Sequence, residues 1–384
     1  MAWNRRAFIG GAAGAAGLSL VPGTAFARIE REKTYGVIEI RASAMSVSVY
    51  RFDLANVAPS ERLSGFQRMA PQLTGKPFPE SERPSPLGPE ADDARAAQSV
   101  DIVVEYIEAL KSLYGLQTPD IAVLVSSGLA DSAPERVARF TAGLRERTGL
   151  AAEVITIHEQ SRLAYDWIVA PARRNSVLHI DISAGYTKGG YYDRRNRSGE
   201  FFDLAAGYGT KSMAGDVKRR WPEVRTADFG PRSAEFYRDT VEPVLAPQIV
   251  AAPLAAQRPQ LCLTGGIVWA STVILEPEAI ARQQTWIDLA PDHFAKLLRL
   301  IESGTPYGGP LPASLSDAER ERVRAALEEV RKTYNPHQLA AGAAIGDGLS
   351  RQLRFDERER LFFAGFASFA GNVWSAQYLI EKFS

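Results

Sequence analysis

The sequence predicts a duplicated α/β protein in which two domains, each a mixed β-sheet flanked by helices, enclose a cleft. The first observation is a pair of similar hairpin patterns, at 37–50 and 178–192. Each carries an acid, Glu39 or Asp181, inside a β-branched run that is followed by small residues and an alternating strand. The second observation is the alternation of strand and helix patterns between the hairpins, which favours a mixed or parallel sheet covered by helices.

The elements of the first half follow from hydrophobic periodicity and from breaker residues. Apolar residues at helical spacing predict a helix that begins near Asp92 and ends near Gly115. Prolines from Pro77 to Pro89 predict a long connection with little regular structure. The predicted elements are a strand pair at 35–52, a connection at 54–90, a helix at 92–115, a strand at 121–125, a helix at 134–147, a strand at 154–157 and a helix at 160–168.

The second half opens with a hinge at 171–175 and a strand at 177, and helices are predicted at 279–289, 291–301 and 316–334. The tail at 358–383 alternates charged with aromatic residues. It is either a helix that packs back across the domains or a partner surface, and packing is favoured because aromatic stripes usually lie in a core. The predicted divisions are a leader at 1–27, a first domain at 28–172, a second domain at 173–355 and a C-terminal helical tail at 356–384.

The composition is that of an ordinary globular protein, with 45% apolar and 23% charged residues. Its 45 basic and 45 acidic residues balance, and loss of a leader that carries Arg5 and Arg6 would leave 43 against 45. This balance argues against binding to nucleic acid or to an anionic membrane. The single cysteine, Cys262, excludes an intramolecular disulfide and is expected to be buried. The four histidines lack metal-binding spacing, and His179 is expected in the core.

The N-terminus predicts export. The sequence NRRAFI at 4–9 matches the twin-arginine pattern, and a weakly apolar stretch and the small-residue end Ala25-Phe26-Ala27 follow it. The apolar stretch is too short to span a bilayer, and no later stretch reaches that length. We expect cleavage after Ala27 and a periplasmic location; the alternative is a disordered or anchored N-terminal tail.

The hairpin turns carry a family resemblance. EIRASA at 39–44 and DISAGYT at 181–187 are similar to the D-x-G-S-N-S and D-I-G-G-G-S-T turns of the exopolyphosphatase/guanosine pentaphosphate phosphatase (Ppx/GppA) family of the actin–sugar kinase–Hsp70 superfamily. Four further segments resemble that family in the same order. They are LVSSGLADSAPERVARF at 124–140, VITIHEQSRLAYDWI at 154–168, LCLTGGIVWAS at 261–271 and NPHQLAAGAAIGDGLSRQL at 335–353. The resemblance implies two duplicated ribonuclease H-like domains of the actin/Hsp70 type.

The resemblance also implies a phosphohydrolase site. In the family the two turn acids approach a metal, which places a possible Mg²⁺ near Glu39 and Asp181. Glycines and hydroxyls in such turns let backbone N–H groups surround a phosphate. The late glycine pair either faces that phosphate or lets a strand approach a helix, and the second alternative is slightly favoured. The implied phosphate-binding residues are Ser43, Asp181, Gly185, Thr187, Gly265 and Gly266.

Several residues depart from the family pattern. Gln160 occupies the position of the usual catalytic base, and an amide cannot take a proton from water near neutral pH. Glu159 beside it is the possible catalytic carboxylate, although a helix N-terminal acid is an equally good interpretation. Both turns and the arginine position of the 124–140 segment are altered as well. The altered positions are Arg41, Ala42, Ala44, Ala130 and Tyr186.

These departures favour a non-catalytic periplasmic protein that binds a ligand or a partner. The ligand would be inorganic polyphosphate or another phosphorylated envelope compound, and the partner an envelope protein or a second copy in a homodimer. The alternative is a metal-dependent phosphohydrolase of the exopolyphosphatase type, with its catalytic carboxylate shifted to Glu159. A purely architectural envelope role is the third hypothesis.

Overall fold

The computed structural model describes residues 32–41, 44–53, 66–69, 82–87, 93–193, 199–364 and 373–383. They form two β-sheets with helices packed around them. The strands are β1 Glu32–Ile40, β2 Ala44–Asp53, β3 Phe66–Met69, β4 Glu82–Pro84, β5 Ile121–Val125, β6 Ala152–Val154, β7 Val177–Ile182, β8 Thr187–Asp193, β9 Glu200–Ala206, β10 Gln260–Thr264, β11 Ile287–Asp288 and β12 Arg360–Phe363.

The two sheets have the same strand order. The first runs β3-β2-β1-β5-β6, with β4 added beside β2, and the second runs β9-β8-β7-β10-β12, with β11 at its end. In each sheet three antiparallel strands are followed by parallel ones: β1 lies parallel to β5, and β7 parallel to β10. Glu39 and Asp181 occupy matching places near the ends of β1 and β7. The predicted duplicated α/β fold is confirmed.

The helices cover both faces of the first sheet. They are α1 Asp93–Tyr114, α2 Ser127–Ser132, α3 Pro134–Thr148, α4 Ile157–Ile168, α5 Thr210–Arg220, α6 Thr226–Phe236, α7 Glu242–Ala251, α8 Gly266–Leu275, α9 Pro277–Ala281, α10 His293–Glu302, α11 Asp317–Thr333, α12 Pro336–Gln352 and α13 Val373–Phe383. Ile38 and Ile40 pack with α1 and α3 on one face. Because side chains alternate along a strand, Val37 and Glu39 point to the other face, where α4 and α13 lie.

The last helix returns to the first sheet. Trp374, Tyr378 and Leu379 of α13 are buried in one cluster with Tyr35 and Val37 of β1. These contacts confirm that the aromatic tail packs against the rest of the protein, for the part of the tail that the structure describes. The aromatic residues within 365–372 lie outside the described residues. The tail is not helical throughout, because Arg360–Phe363 pairs with β10 and completes the second sheet.

Several predicted elements need correction. The 54–90 connection contains the short strands β3 and β4. Strand β6 ends at Val154 and α4 begins at Ile157, because the Thr156 hydroxyl caps the helix by accepting from the Glu159 N–H at 3.1 Å. The predicted 279–289 helix is a short helix, Pro277–Ala281, followed by the strand β11.

Within the described residues, no helix combines the length and the apolar character needed to cross a membrane. Cys262 is buried, as predicted. The leader at 1–27 lies outside the described part of the chain, so export and the domain boundaries stay predictions.

Candidate functional site

Asp181, the acid of the second hairpin, is already neutralised by the protein. Its Oδ2 lies 3.0 Å from the Nζ of Lys188, and the two side chains are only 17% and 6% exposed. The Ser183 hydroxyl donates to the same oxygen at 2.6 Å. Because Lys188 follows the turn on β8, in register with Asp181, the hairpin itself delivers the cation to the acid.

The electrostatics of Asp181 follow from this pairing. Burial would raise the pKa of its carboxyl, but the Lys188 ammonium and the Ser183 hydroxyl outweigh burial and hold it below its ordinary value. A polar chain continues along the sheet from there. The Thr264 hydroxyl lies 3.5 Å from Asp181 Oδ1 and 2.8 Å from the Nε2 of His179. His179 is fully buried, and burial lowers its pKa to about 4, so its ring is neutral.

Glu39, the acid of the first hairpin, is also engaged within the protein. It is 1% exposed, and its Oε1 accepts from the indole Nε1–H of Trp374 at 3.1 Å. The Arg41 guanidinium lies 3.9 Å from the same oxygen. The helix that returns from the end of the chain therefore supplies a donor to the acid that the resemblance assigns to a metal.

These two acids do not fit a Mg²⁺ site. Mg²⁺ requires oxygen ligands that are available to it, usually alongside several waters. Here Asp181 has an ammonium at contact distance, and Glu39 has an indole donor and a nearby guanidinium. Among the described residues, no group of three or more His, Cys, Asp or Glu side chains is arranged to hold a metal.

The second turn uses the helix N-terminus that could otherwise bind an anion. The N–H groups of Thr210 and Lys211, at the start of α5, donate to the carbonyls of Ser183 and Ala184 at 3.0 and 2.8 Å. The Ser212 N–H donates to Ala184 as well, at 3.2 Å. Donors at a helix N-terminus are the usual partners of a phosphate. In this chain they hold the turn.

Tyr186 extends from the second turn to the first domain. A Cβ placed on Gly128, in α2, would lie 2.8 Å from two carbons of the Tyr186 ring. The ring therefore lies directly against the α2 backbone, and the glycine is what allows it to do so. The bulky residue that departs from the family pattern thus joins the second turn to α2.

The late glycine pair provides space for neighbouring protein atoms. Gly265 has a φ of +102°, and a Cβ there would lie 2.2 Å from the carbonyl oxygen of Ile182. A Cβ on Gly266 would lie 1.9 Å from the phenol oxygen of Tyr334. Tyr334 is buried, which raises the pKa of its phenol, so it stays a neutral hydroxyl. These contacts favour the alternative that the glycine pair lets a strand approach a helix.

Gln160 lies at the position that the family resemblance assigns to the catalytic base, and its side chain is hydrogen-bonded to an uncharged group. Its Oε1 accepts from the Ser127 hydroxyl at 2.8 Å, and both side chains are buried. Glu159 is half-buried one residue earlier, in the first turn of α4. Its charge acts on Tyr378 of α13, where burial, Glu153 and then Glu159 raise the pKa of the phenol. Helix α4, which carries Glu159, packs against α13, and Arg162 of α4 pairs with Glu381 of α13 at 2.7 Å.

Solved structures with the same architecture identify the fold. An exopolyphosphatase from Cytophaga hutchinsonii matches with a TM-score of 0.59 at 12% identity, over 91% of this chain and 98% of that one. A Ppx/GppA family member from Aquifex aeolicus gives 0.54 at 12% identity, over 92% and 100%. An exopolyphosphatase-like protein gives 0.54 at 13%, over 91% and 100%. The chain has the Ppx/GppA fold. No family model and no curated protein matches the sequence.

The Ppx/GppA fold brings some of the predicted site residues together. Asp181 and Gly265 are in contact, since a Cβ on the glycine would lie 2.6 Å from Asp181 Oδ1. The Thr187 hydroxyl is buried and donates to the carbonyl of Tyr208 at 2.8 Å. Gly185 has open space beside it. Ser43 and Ala42 lie outside the described residues, and the phosphate-binding assignments stay predictions.

Sequence reasoning missed three residues that define this site: Lys188, Tyr334 and Trp374. Lys188 is the second residue of β8, and a lysine in a strand that is buried over most of its length was the available signal. Trp374 and Tyr334 had no local signal, because each reaches the site through tertiary packing from a distant part of the chain.

Proposed function

We propose that this protein has the Ppx/GppA fold without phosphohydrolase activity and acts by binding a partner. The observation that carries the proposal is the ion pair between Asp181 and Lys188. A hydrolase of this fold needs its turn acid available for a metal that gathers phosphate charge. An ammonium on that acid, built into the same hairpin, supplies the neutralising charge permanently.

The position of the general base supports the same proposal. Gln160 is committed to the Ser127 hydroxyl and cannot take a proton from an attacking water. The alternative of a base shifted to Glu159 gains no support from the contacts, since the helix that carries Glu159 packs against α13. No described contact joins Glu159 to Asp181 or to either turn.

The contacts of the second turn favour a protein partner over an inorganic polyphosphate or another phosphorylated ligand. The N–H donors of α5 hold the turn, and the Tyr186 ring lies against Gly128 of α2. The partner we propose is an envelope protein or a second copy of this chain. A twin-arginine leader at 1–27 and a periplasmic location are part of the proposal, supported by NRRAFI and the Ala25-Phe26-Ala27 end.

The first experiment measures phosphate release from long-chain polyphosphate with Mg²⁺ or Mn²⁺, beside an exopolyphosphatase of known activity. We expect no release above the buffer blank. We also expect none from Gln160→Glu, because restoring the carboxylate leaves Asp181 paired with Lys188. Release by the wild type that disappears in Glu159→Ala would establish the shifted-base phosphohydrolase and overturn the proposal.

Export is tested separately in cells. The full chain with Arg5→Lys and Arg6→Lys together should stay in the cytoplasmic fraction as the uncleaved form, whereas the wild type should reach the periplasmic fraction in a shortened form. Periplasmic recovery of the double variant would contradict twin-arginine export.

A further inference from the structure

A cavity of about 250 Å³ lies where the chain crosses from α4 to the second sheet, away from Asp181. One wall is the end of α4 and the hinge that follows it. The floor is the second sheet, and Trp286 is part of the lining. Apolar side chains and one arginine line the cavity: Ile168, Val169, Ala170, Arg173, Val177, Cys262, Trp286 and Phe362.

The floor of this cavity, hereafter the hinge pocket, is formed by three adjacent strands. Cys262 of β10 pairs with Phe362 of β12 on one side and with His179 of β7 on the other. Val177 lies two residues before His179, so it points to the same face of the sheet. Asp181 lies at the other end of that face. The hinge pocket and the hairpin acid are therefore separate sites on one strand.

The residues of the pocket floor are uncharged; the Arg360 guanidinium stacks on Phe362, with its carbon 4.7 Å from the ring centroid, and is paired with Asp288 at 2.6 Å. Cys262 is fully buried, and burial raises the pKa of its thiol, so it stays neutral. Trp286 is 38% exposed, one of the few large apolar side chains of the described residues that reach solvent. Its ring meets the ring of Phe362 edge to face, with centroids 5.6 Å apart. An exposed indole on an apolar cavity is surface that a ligand can cover.

Arg173 brings the single charge of the pocket lining. It is exposed, and no ion pair or hydrogen bond of its guanidinium is found within the described part of the chain. Its neighbour Arg174 differs, since that guanidinium pairs with Asp166 at 2.6 Å and stacks on Tyr192 with its carbon 5.1 Å from the ring centroid. Of the two adjacent arginines, Arg174 is held by contacts within the protein, and Arg173 is the one that lines the pocket.

We infer that the hinge pocket binds a small amphipathic anion, an apolar body with a single carboxylate that meets Arg173. An apolar cavity of 150 Å³ holds benzene, so about 250 Å³ holds a body with about ten non-hydrogen atoms. Octanoate has this size and charge. The apolar lining favours the acyl chain, and the guanidinium fork favours the carboxylate.

The test titrates the full chain with octanoate, by calorimetry and by tryptophan fluorescence. We expect saturable binding with a dissociation constant of about 1 mM, as ligands of this size reach. Arg173→Gln should weaken binding about three- to tenfold, because the exposed arginine acts partly through solvent. Ala170→Phe should abolish it, since this exposed position can fill the pocket without disturbing the core. Arg219→Gln, an exposed arginine on α5, is the matched control and should bind as the wild type does.

Octanol and octylammonium complete the test. Both should bind at least threefold more weakly than octanoate, and Trp286→Phe should remove the fluorescence change while calorimetry still detects heat. Equal binding of octanol and octanoate, or unchanged binding by Arg173→Gln, would overturn the assignment of an anion. Unchanged binding by Ala170→Phe would overturn the location. None of these outcomes depends on whether the protein hydrolyses polyphosphate.

Discussion

Removing the ammonium from Lys188 tests the central feature of the site. Lys188→Met keeps the length and apolar stem of the side chain but leaves the Asp181 carboxylate without its 3.0 Å partner. Breaking a buried ion pair by removing one member costs about 3–5 kcal/mol. The Ser183 hydroxyl still donates to Asp181, so we expect about 3 kcal/mol at pH 7. In a domain of this size that corresponds to a fall of about 6–12 °C in Tm.

The pH dependence gives a sharper signature than the size of the loss. In the wild type the pKa of Asp181 lies below the ordinary 3.8, so the pair stabilises the fold above that pH and the gain is lost as the pH falls. In Lys188→Met, burial dominates and the pKa rises above 3.8. The variant then loses stability as the pH rises through its raised pKa. The difference in unfolding free energy should therefore be small near pH 4 and large at pH 7.

Urea denaturation at both pH values measures this difference. Lys218→Met, which removes an exposed lysine on α5, is the control and should cost under about 0.5 kcal/mol. Lys188→Met combined with Asp181→Asn should recover most of the lost stability, because no buried charge remains. A loss under about 1 kcal/mol, or the same loss at pH 4 and pH 7, would refute the compensation of Asp181 by Lys188.

Three further predictions follow from the same contacts. Gly128→Ala should destabilise the wild type by about 1–2 kcal/mol, because the new Cβ meets the Tyr186 ring. In a Tyr186→Ala background the same change should stabilise the protein, because alanine has the higher helix propensity. A change in unfolding free energy of the same sign in both backgrounds would exclude the contact between Gly128 and Tyr186. Trp374→Phe should cost about 1–3 kcal/mol by removing the donor to Glu39, against almost no loss for the exposed Trp286→Phe, and an equal loss in both would contradict this role. Mg²⁺ should leave the Tm of the wild type unchanged relative to NaCl of equal ionic strength, and a rise that saturates would show a bound metal.

The fold was accessible from the sequence because its signals are local and repeated. The two acid-containing hairpins and the helical stripe of α1 each follow from alternation or periodicity within one segment. The errors occur where a tertiary partner decided the outcome. Strands β3 and β4 form because β2 offers an edge, and β12 forms because it completes the second sheet beside β10. Isolated short segments of this kind carry little periodicity.

The site was predicted less completely than the fold for a related reason. The departures from the family pattern at Gln160 and Tyr186 could be read from the sequence, since the resemblance aligns those positions. The replacements could not. Trp374 lies far along the chain from Glu39, and only the return of α13 to the first sheet brings its indole within 3.1 Å. A local sequence pattern indicates which residues of a turn differ from the family, whereas the partner of a turn residue can lie far away in the sequence.

Compensation also explains how this fold retains two buried acids. A buried carboxylate without a partner destabilises a protein, so an acid that no longer binds metal should either disappear or acquire an internal partner. Asp181 is paired with Lys188, and Glu39 accepts from Trp374 beside Arg41. In a metal-binding site the compensating charge arrives with the ligand and leaves with it. In this chain both partners are part of the fold and stay in place whether or not a ligand is bound, so removing one member alone leaves the other buried without its partner and should destabilise the fold.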